Sequence, residues 1–255
     1  MAPDDAHTNP MLPGRSLLTA AGPGMADAAP ASISASAHVR DRDRSPNLAE
    51  VHEVETVLTT ERWARDMARW DVMLEQYHPD SLVDISWIRT SGPEFVRLSR
   101  ESFDRGVRSA HVLSPPLIHV NGTRATADTG SIIVGRLSAG GVSAFLTSFG
   151  RIVERIEKRR DTWRIAQLEV IYQFDYLTAD NPADTLPVEA QRWARYRPSY
   201  RALSYWVEET QGSGAVRYDL PGVDRPETID ALYNANNAWL AEVAATDRAT
   251  RTTSG

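Results

Sequence analysis

The sequence has 255 residues, 42% of them hydrophobic and 24% charged, with a formal net charge of -6; this is the composition of a globular chain able to bury its own core. It contains no cysteine, which excludes disulfides, thiolate nucleophiles and cysteine-held zinc or iron-sulfur centres. The acidic balance gives no electrostatic basis for nucleic acid or an anionic membrane as a partner, and no run reaches the roughly 20 apolar residues of a membrane span.

Residues 1–45 read as a disordered tail. Met1 to Arg44 is rich in Ala, Pro, Ser and Gly, holds no aromatic residue and keeps no period, so it cannot offset its ordering entropy. Arg15 followed by SLLTAAGPGMADAAPASISASA has some character of a secretory leader. Its apolar part is interrupted by Gly22, Pro23, Gly24 and Pro30, where a leader needs about 7 to 15 unbroken residues. A cytoplasmic location is the expectation.

From Pro46 the pattern is that of a folded domain, expected over 46–180. Leu48, Val51, Val54 and Leu58 keep helical spacing behind the early acids Glu50, Glu53 and Glu55, in a helix that either runs on or breaks at Thr59 and Thr60. Glu61 to Leu74 reads as one helix, with Trp63, Met67, Trp70 and Leu74 as its apolar stripe. Asp66 stands about 70° from the centre of that stripe, where a carboxylate is either half solvated or facing a cavity; the cavity is preferred. Asp71 is placed to cap a short helix over Val72 to Tyr77. Residues 81–88, SLVDISWI, alternate as a strand with one apolar face. Gly92-Pro93 opens a helix lined by Phe95, Leu98, Ser102 and Phe103 up to Gly106.

Residues 107–176 carry three turn signals, Asn121-Gly122, Ser138 to Gly141 and Arg160-Asp161, which separate four predicted strands of an antiparallel meander. Gly130, Gly135 and Gly150 inside long strands suggest bulges or bends. The fold class is therefore α+β, a cone-shaped curved antiparallel sheet with the N-terminal helices packed in its concave face. Residues 181–245 read as a helical C-terminal extension. Pro187 to Glu209 has an aromatic-rich face of Trp193, Tyr196, Tyr200, Leu203 and Trp206 and is kinked or split in two at Pro198. A second helix starts at Pro226 and carries Ile229, Leu232, Tyr233, Asn236, Trp239 and Leu240. These faces lid the cone, meet a second subunit or pack on the outside of the sheet, the last being the expectation. Residues 246–255 read as a disordered tail.

WARDMARWDVMLEQYHPDSLVDISW, RSAHVLSPPLIHVNGTRATADT and KRRDTWRIAQLEV, with the order of elements, resemble the SnoaL-like branch of the nuclear transport factor two-like superfamily over roughly residues 50 to 176. Its relatives include scytalone dehydratase, bile acid dehydratase, hexachlorocyclohexane dehydrochlorinase, ketosteroid isomerase and polyketide cyclases, beside members without catalysis. The resemblance implies a histidine and aspartate pair inside the cone. Asp66, four residues before Trp70-Asp71, matches the aspartate, and His111 in RSAHVL matches the histidine. The dehydratases' tyrosine beside the aspartate is Arg65 here, a departure from the pattern.

In such a pair the carboxylate fixes the imidazole tautomer and stabilises the imidazolium, which raises the imidazole pKa and leaves the other nitrogen as a base. The proton returns to a leaving hydroxyl in a dehydration or to another carbon in an isomerisation, and neither needs a metal or an organic cofactor. Trp63, Trp70, Trp87, Phe149, Arg151 and Tyr172 are candidates to line the cone, with Phe145 and Thr147 on the same strand face as Phe149. His78, His119 and Asp128 are expected to be exposed, and no histidine pair has the spacing of a helical metal site. The expected function is that of a lyase or isomerase, most simply a dehydratase, acting on a small apolar oxygenated molecule of polyketide, terpenoid or steroid-like kind held in the cone. The alternatives are a polyketide cyclase of the same fold and a non-catalytic ligand-binding or accessory protein; a homo-oligomer is open to any of them.

Overall fold

The computed structural model describes residues 47–252. The expected N-terminal tail and its leader-like stretch lie outside the described residues. Helix α1 (Leu48–Asp66) starts at Asn47, whose side chain accepts the Ala49 N–H at 3.2 Å. It runs unbroken through Thr59 and Thr60 and buries Val54, Val57, Leu58, Glu61, Arg62 and Ala64. This is one helical face continued at steps of three and four. The helix ends where Ala68 turns left-handed, with φ of 54°, and α2 (Trp70–Glu75) restarts in a new direction.

The single helix expected over Glu61 to Leu74 is thus two, and its supposed apolar stripe is not a core stripe. Trp63 is 53%, Met67 57% and Leu74 43% exposed. The expected helix over Val72 to Tyr77 likewise gives way at Tyr77, which opens strand β1 (Tyr77–Ile85). A turn at Ser86-Trp87 separates β1 from β2 (Ile88–Ser91), so the predicted strand over 81–88 is divided. His78 is buried, with Nε2 2.9 Å from the Glu157 carbonyl, against the expectation of exposure. Helix α3 (Gly92–Asp104) is capped by Ser91, carries Pro93 in its first turn and buries Phe95, Val96 and Ser99.

The meander has five strands where four were predicted. Pro115-Pro116, which lack N–H donors, divide the first into β3 (Arg108–Leu113) and β4 (Leu117–Asn121). Both pair antiparallel with β5 (Arg124–Ala139), which is followed by β6 (Val142–Arg159) and β7 (Thr162–Ala179). The chain reverses at all three predicted turns: Asn121 faces Arg124, Ala139 faces Val142, and Arg159 faces Thr162. The result is an α+β fold around a curved, unclosed sheet of order β2-β1-β7-β6-β5-β3, with β4 also on β5 and β1 parallel to β7. The β6–β7 register shifts between Phe149 and Gly150. A Cβ on Gly150 would stand 2.7 Å from the Ile171 carbonyl oxygen, so the bulge needs glycine there.

The main core lies between α1, α3 and the inner face of the sheet. Beyond the sheet come α4 (Ala190–Ala194), α5 (Arg201–Gln211) and α6 (Pro226–Thr252). The two long C-terminal helices divide the work expected of them. Helix α6 packs on the outer face, with Leu232 against Val153 and Ile171 and with Tyr233 Oη donating to Asp128 Oδ2 at 2.7 Å. Asp128 is therefore paired rather than exposed. Helix α5 instead sends Ala202 and Leu203 into the inner core. Helix α6 continues to Thr252, past the point where the extension was expected to end.

Candidate active site

Asp66 is the last residue of α1, and His111 lies on β3 at the edge of the sheet. The two are tied by both carboxylate oxygens: Oδ2 accepts the His111 backbone N–H at 2.7 Å, and Oδ1 lies 2.7 Å from Nδ1. The His111 side chain is 3% and that of Asp66 11% exposed. With Nδ1–H donating to Asp66, Nε2 carries a lone pair. That nitrogen lies 3.4 Å from Nη1 of both Arg62 and Arg65.

The charges around His111 reverse one expectation. Burial first, and then the Arg62 and Arg65 guanidinium groups, push His111 down to about 3, outweighing the Asp66 hydrogen bond that would raise it. Burial raises Asp66, but the hydrogen bonds and charge of His111 with the charge of Arg62 carry it below its ordinary range. His111 is a neutral imidazole at neutral pH.

Behind Arg62 lies a buried polar group. Glu61 Oε2 meets Arg62 Nη2 at 3.1 Å, and Glu61 Oε1 accepts the Tyr77 hydroxyl at 2.8 Å. Glu154, on the inner face of β6, is pushed up to about 8 by burial and by the nearby Glu61 charge, against the pull of Arg62. Arg65 is lowered to about 10 by burial and by the like charge of Arg62.

Arg62, Arg65, Ser109 and His111 form the polar end of a cavity of about 50 Å³. Ile85, Trp87, Phe95, Leu168 and Tyr172 wall it with apolar surface, and Leu203 and Trp206 of α5 close one side. The Tyr172 hydroxyl accepts the Ser86 N–H at 2.8 Å and so pins the turn that carries Trp87. Among the described residues no group of three or more His, Asp or Glu side chains forms a metal site, and no helix is long and apolar enough to cross a membrane.

Of the residues singled out in the sequence, the structure brings Asp66, His111, Trp87 and Tyr172 to this cavity or its edge. It leaves the other four elsewhere. Trp63 is exposed, and Trp70 packs edge-on against Phe103 at 5.7 Å. Phe149 and Arg151 lie on the outer face of the sheet: His111 pairs with Ile133, Ile133 pairs with Ser148, and alternation turns 149 and 151 away. Phe149 stacks on Phe174 at 4.5 Å, and Arg151 Nε donates to Asp128 at 2.6 Å.

The residues missed are Glu61, Arg62 and Glu154; Arg65 stood in the sequence only as a departure from the family pattern, and Leu203 and Trp206 only on a face whose place, lid or otherwise, was open. One signal could have found the arginines: the stripe of Val54 and Leu58 extends at steps of four and three to positions 62 and 65.

A profile described as the SnoaL-like domain matches residues 46–169. Residues 46–169 are therefore a SnoaL-like domain. Among solved structures, this SnoaL-like chain is similar to a hexachlorocyclohexane dehydrochlorinase, LinA type 2, at 13% identity over 55% of this chain and 97% of that one, with a TM-score of 0.47. A candidate scytalone dehydratase from Novosphingobium aromaticivorans matches at 17% identity over 55% of this chain and 96% of that one, with a TM-score of 0.44. Rv3472 from Mycobacterium tuberculosis, a protein of unknown function solved as an Asp-to-Asn variant, matches at 19% identity over 56% and 79%, with a TM-score of 0.39. No curated protein matches this SnoaL-like chain.

Proposed function

We propose that this SnoaL-like protein is a lyase or isomerase that moves a proton on a small oxygenated molecule, most simply a dehydratase. The observation that carries the reading is the imidazole of His111, held by both oxygens of Asp66, with its other nitrogen at the polar end of a cavity. Nε2 takes a proton from a carbon made acidic by a neighbouring carbonyl. Asp66 orients the ring and stabilises the imidazolium that results.

Arg62 and Arg65 supply the second half of the chemistry. As the C–H bond breaks, charge moves to the carbonyl oxygen, and two guanidinium groups beside it stabilise that oxyanion. The negative charge that builds on the substrate oxygen also offsets the two guanidinium charges that, after burial, depress His111, so its basicity rises as the oxyanion forms. The imidazolium then returns the proton to a departing hydroxyl or to another carbon, with no metal or organic cofactor in the step.

The apolar walls suit a polyketide, terpenoid or steroid-like skeleton. The cavity of about 50 Å³ holds roughly three or four waters, so a skeleton of that size enters only if its walls give way. The test is solvent deuterium uptake by a panel of β-hydroxy ketones, followed by NMR, with wild type and His111→Asn. Uptake or water loss in wild type that disappears in the variant is expected; equal rates in both would refute His111 as the base.

A second reading rests on a specific observation. Nε2 already faces two guanidinium donors, which suits a cone that holds a ligand without turning it over. In that case ligands bind and are recovered without exchanged protons.

A further inference from the structure

The charges of the cavity are unevenly satisfied. A guanidinium offers five N–H donors. Those of Arg62 reach Glu61 through Nη2 and His111 through Nη1. Arg65 has only the contacts of Nη1 with Ser109 Oγ and His111 Nε2, both at 3.4 Å, among the described residues. The Nε of each arginine is buried without a hydrogen-bond partner among the described residues. Phe95, 5.7 Å from the Arg65 guanidinium carbon, contributes to holding the charge but accepts none of its in-plane N–H groups.

The nearby carboxylates are already engaged, and the Glu154 carboxyl beside them is held protonated by burial. Asp66 is taken up by the two donors of His111, and Glu61 by Tyr77 and Arg62. One guanidinium is left in a largely apolar enclosure with no anion in contact, a costly arrangement unless a ligand completes it.

We propose that the ligand of this cavity carries a single carboxylate, received by Arg65, on a compact apolar skeleton, which leaves Arg62 to the reacting oxygen. The inference rests on the cavity being the substrate site argued above, and it names the class of molecule that enters. A planar carboxylate fits the fork of a guanidinium with two parallel hydrogen bonds. One negative charge matches one unpaired guanidinium, whereas a phosphate would set a second charge against Asp66 and Glu61. The rest of the ligand meets Trp87, Phe95, Leu168 and Trp206, which offer it no charge. Binding has a further effect: the carboxylate takes up the N–H groups now turned toward His111 Nε2 and so uncovers the base.

The test uses the full chain and three probes of small size: isobutyrate, its neutral isostere isobutyramide, and inorganic phosphate, with affinities from ligand-observed NMR. Isobutyrate is expected to bind about ten- to a hundredfold more tightly than isobutyramide, as charge-assisted hydrogen bonds require, and more tightly than phosphate. Arg65→Met is expected to abolish that preference and Arg65→Lys to retain part of it. The wild-type comparison needs no variant, so a folding defect at position 65 leaves the test intact. Equal binding of isobutyrate and isobutyramide, tighter binding of phosphate, or no binding of isobutyrate at all would overturn the proposal. His111→Asn separates the two claims. Carboxylate preference with proton transfer surviving in His111→Asn defeats the base and leaves the anion site; His111-dependent proton transfer on neutral ketones without carboxylate preference does the reverse.

Discussion

Glu154 gives the most quantitative expectation. Its carboxyl is buried on the inner face of β6, and ionising it would place a second anion near Glu61 with only Arg62 to balance both. Folding raises this acid from its ordinary 4.5 to about 8, so between those values the folded chain holds a proton that the unfolded chain has lost. Its contribution to stability is complete below 4.5 and disappears as the pH rises through 8. His111 has the opposite sign, since its folded value of about 3 lies below its ordinary 6.5; its contribution is present above 6.5 and falls away as the pH drops. Asp175, raised to about 6 by burial, has largely finished titrating before the upper half of the range. From pH 6.5 to 8 Glu154 loses stability at up to about 1.4 kcal/mol per pH unit, while His111 and His78, both lowered by burial, oppose it at the low end of the window, so the wild type should lose about 1.5 kcal/mol more than Glu154→Gln across it. Urea denaturation at half-unit steps of pH measures this difference. In Glu154→Gln the stability should stay level or rise slightly over the same window. Parallel pH profiles for the two proteins would show that Glu154 is not the titrating group and that the charge balance around Arg62 has been misread.

Three further expectations follow from single contacts. Asp66→Ala strands two buried donors of His111 and should cost about 2–4 kcal/mol in denaturant stability while abolishing proton transfer; a loss below about 0.5 kcal/mol would contradict the pairing. Tyr172→Phe removes the acceptor of the Ser86 N–H and should cost about 1–3 kcal/mol, with weaker ligand binding because the turn carrying Trp87 loosens; unchanged stability would argue against that pin. Gly92→Ala drives a Cβ into the Ser81 hydroxyl and the Tyr77 ring and should destabilise by about 1–3 kcal/mol, read as a lowered thermal midpoint; a neutral effect would show that Tyr77 can move without penalty.

How far the sequence could be read depended on which force set each feature. The strands of the meander were legible because a half-buried strand must alternate, and the turns because Gly122, Gly140, Gly141 and Asp161 are residue types that readily take the positive φ found there. The break at Pro115-Pro116 was overlooked although the missing donors were in plain view. The first helix was misread for a better reason. Its buried face ends in Glu61, Arg62 and Arg65, and a rule that looks for apolar residues on the buried side turns such a helix around. Trp63, Met67 and Leu74 then look like the stripe, and the left-handed turn at Ala68 has no glycine to announce it. Phe149 and Arg151 failed for a parity reason: one face of β6 was chosen without the register to β3 that places His111. Asp66 and His111 could be paired only through the family resemblance, since 45 residues separate them and nothing local links the end of a helix to an edge strand. Charged groups facing a cavity follow ligand chemistry, which a single sequence does not display.

The central claim is that His111 is a neutral imidazole whose Nδ1 proton is given to Asp66, leaving Nε2 unprotonated toward the cavity. Nitrogen-15 NMR of the imidazole side chain, from pH 8 down to pH 5, measures this directly. The account expects a protonated Nδ1, an unprotonated Nε2 and no titration over that range. A His111 that titrates near 6.5, or that carries its proton on Nε2, would contradict it.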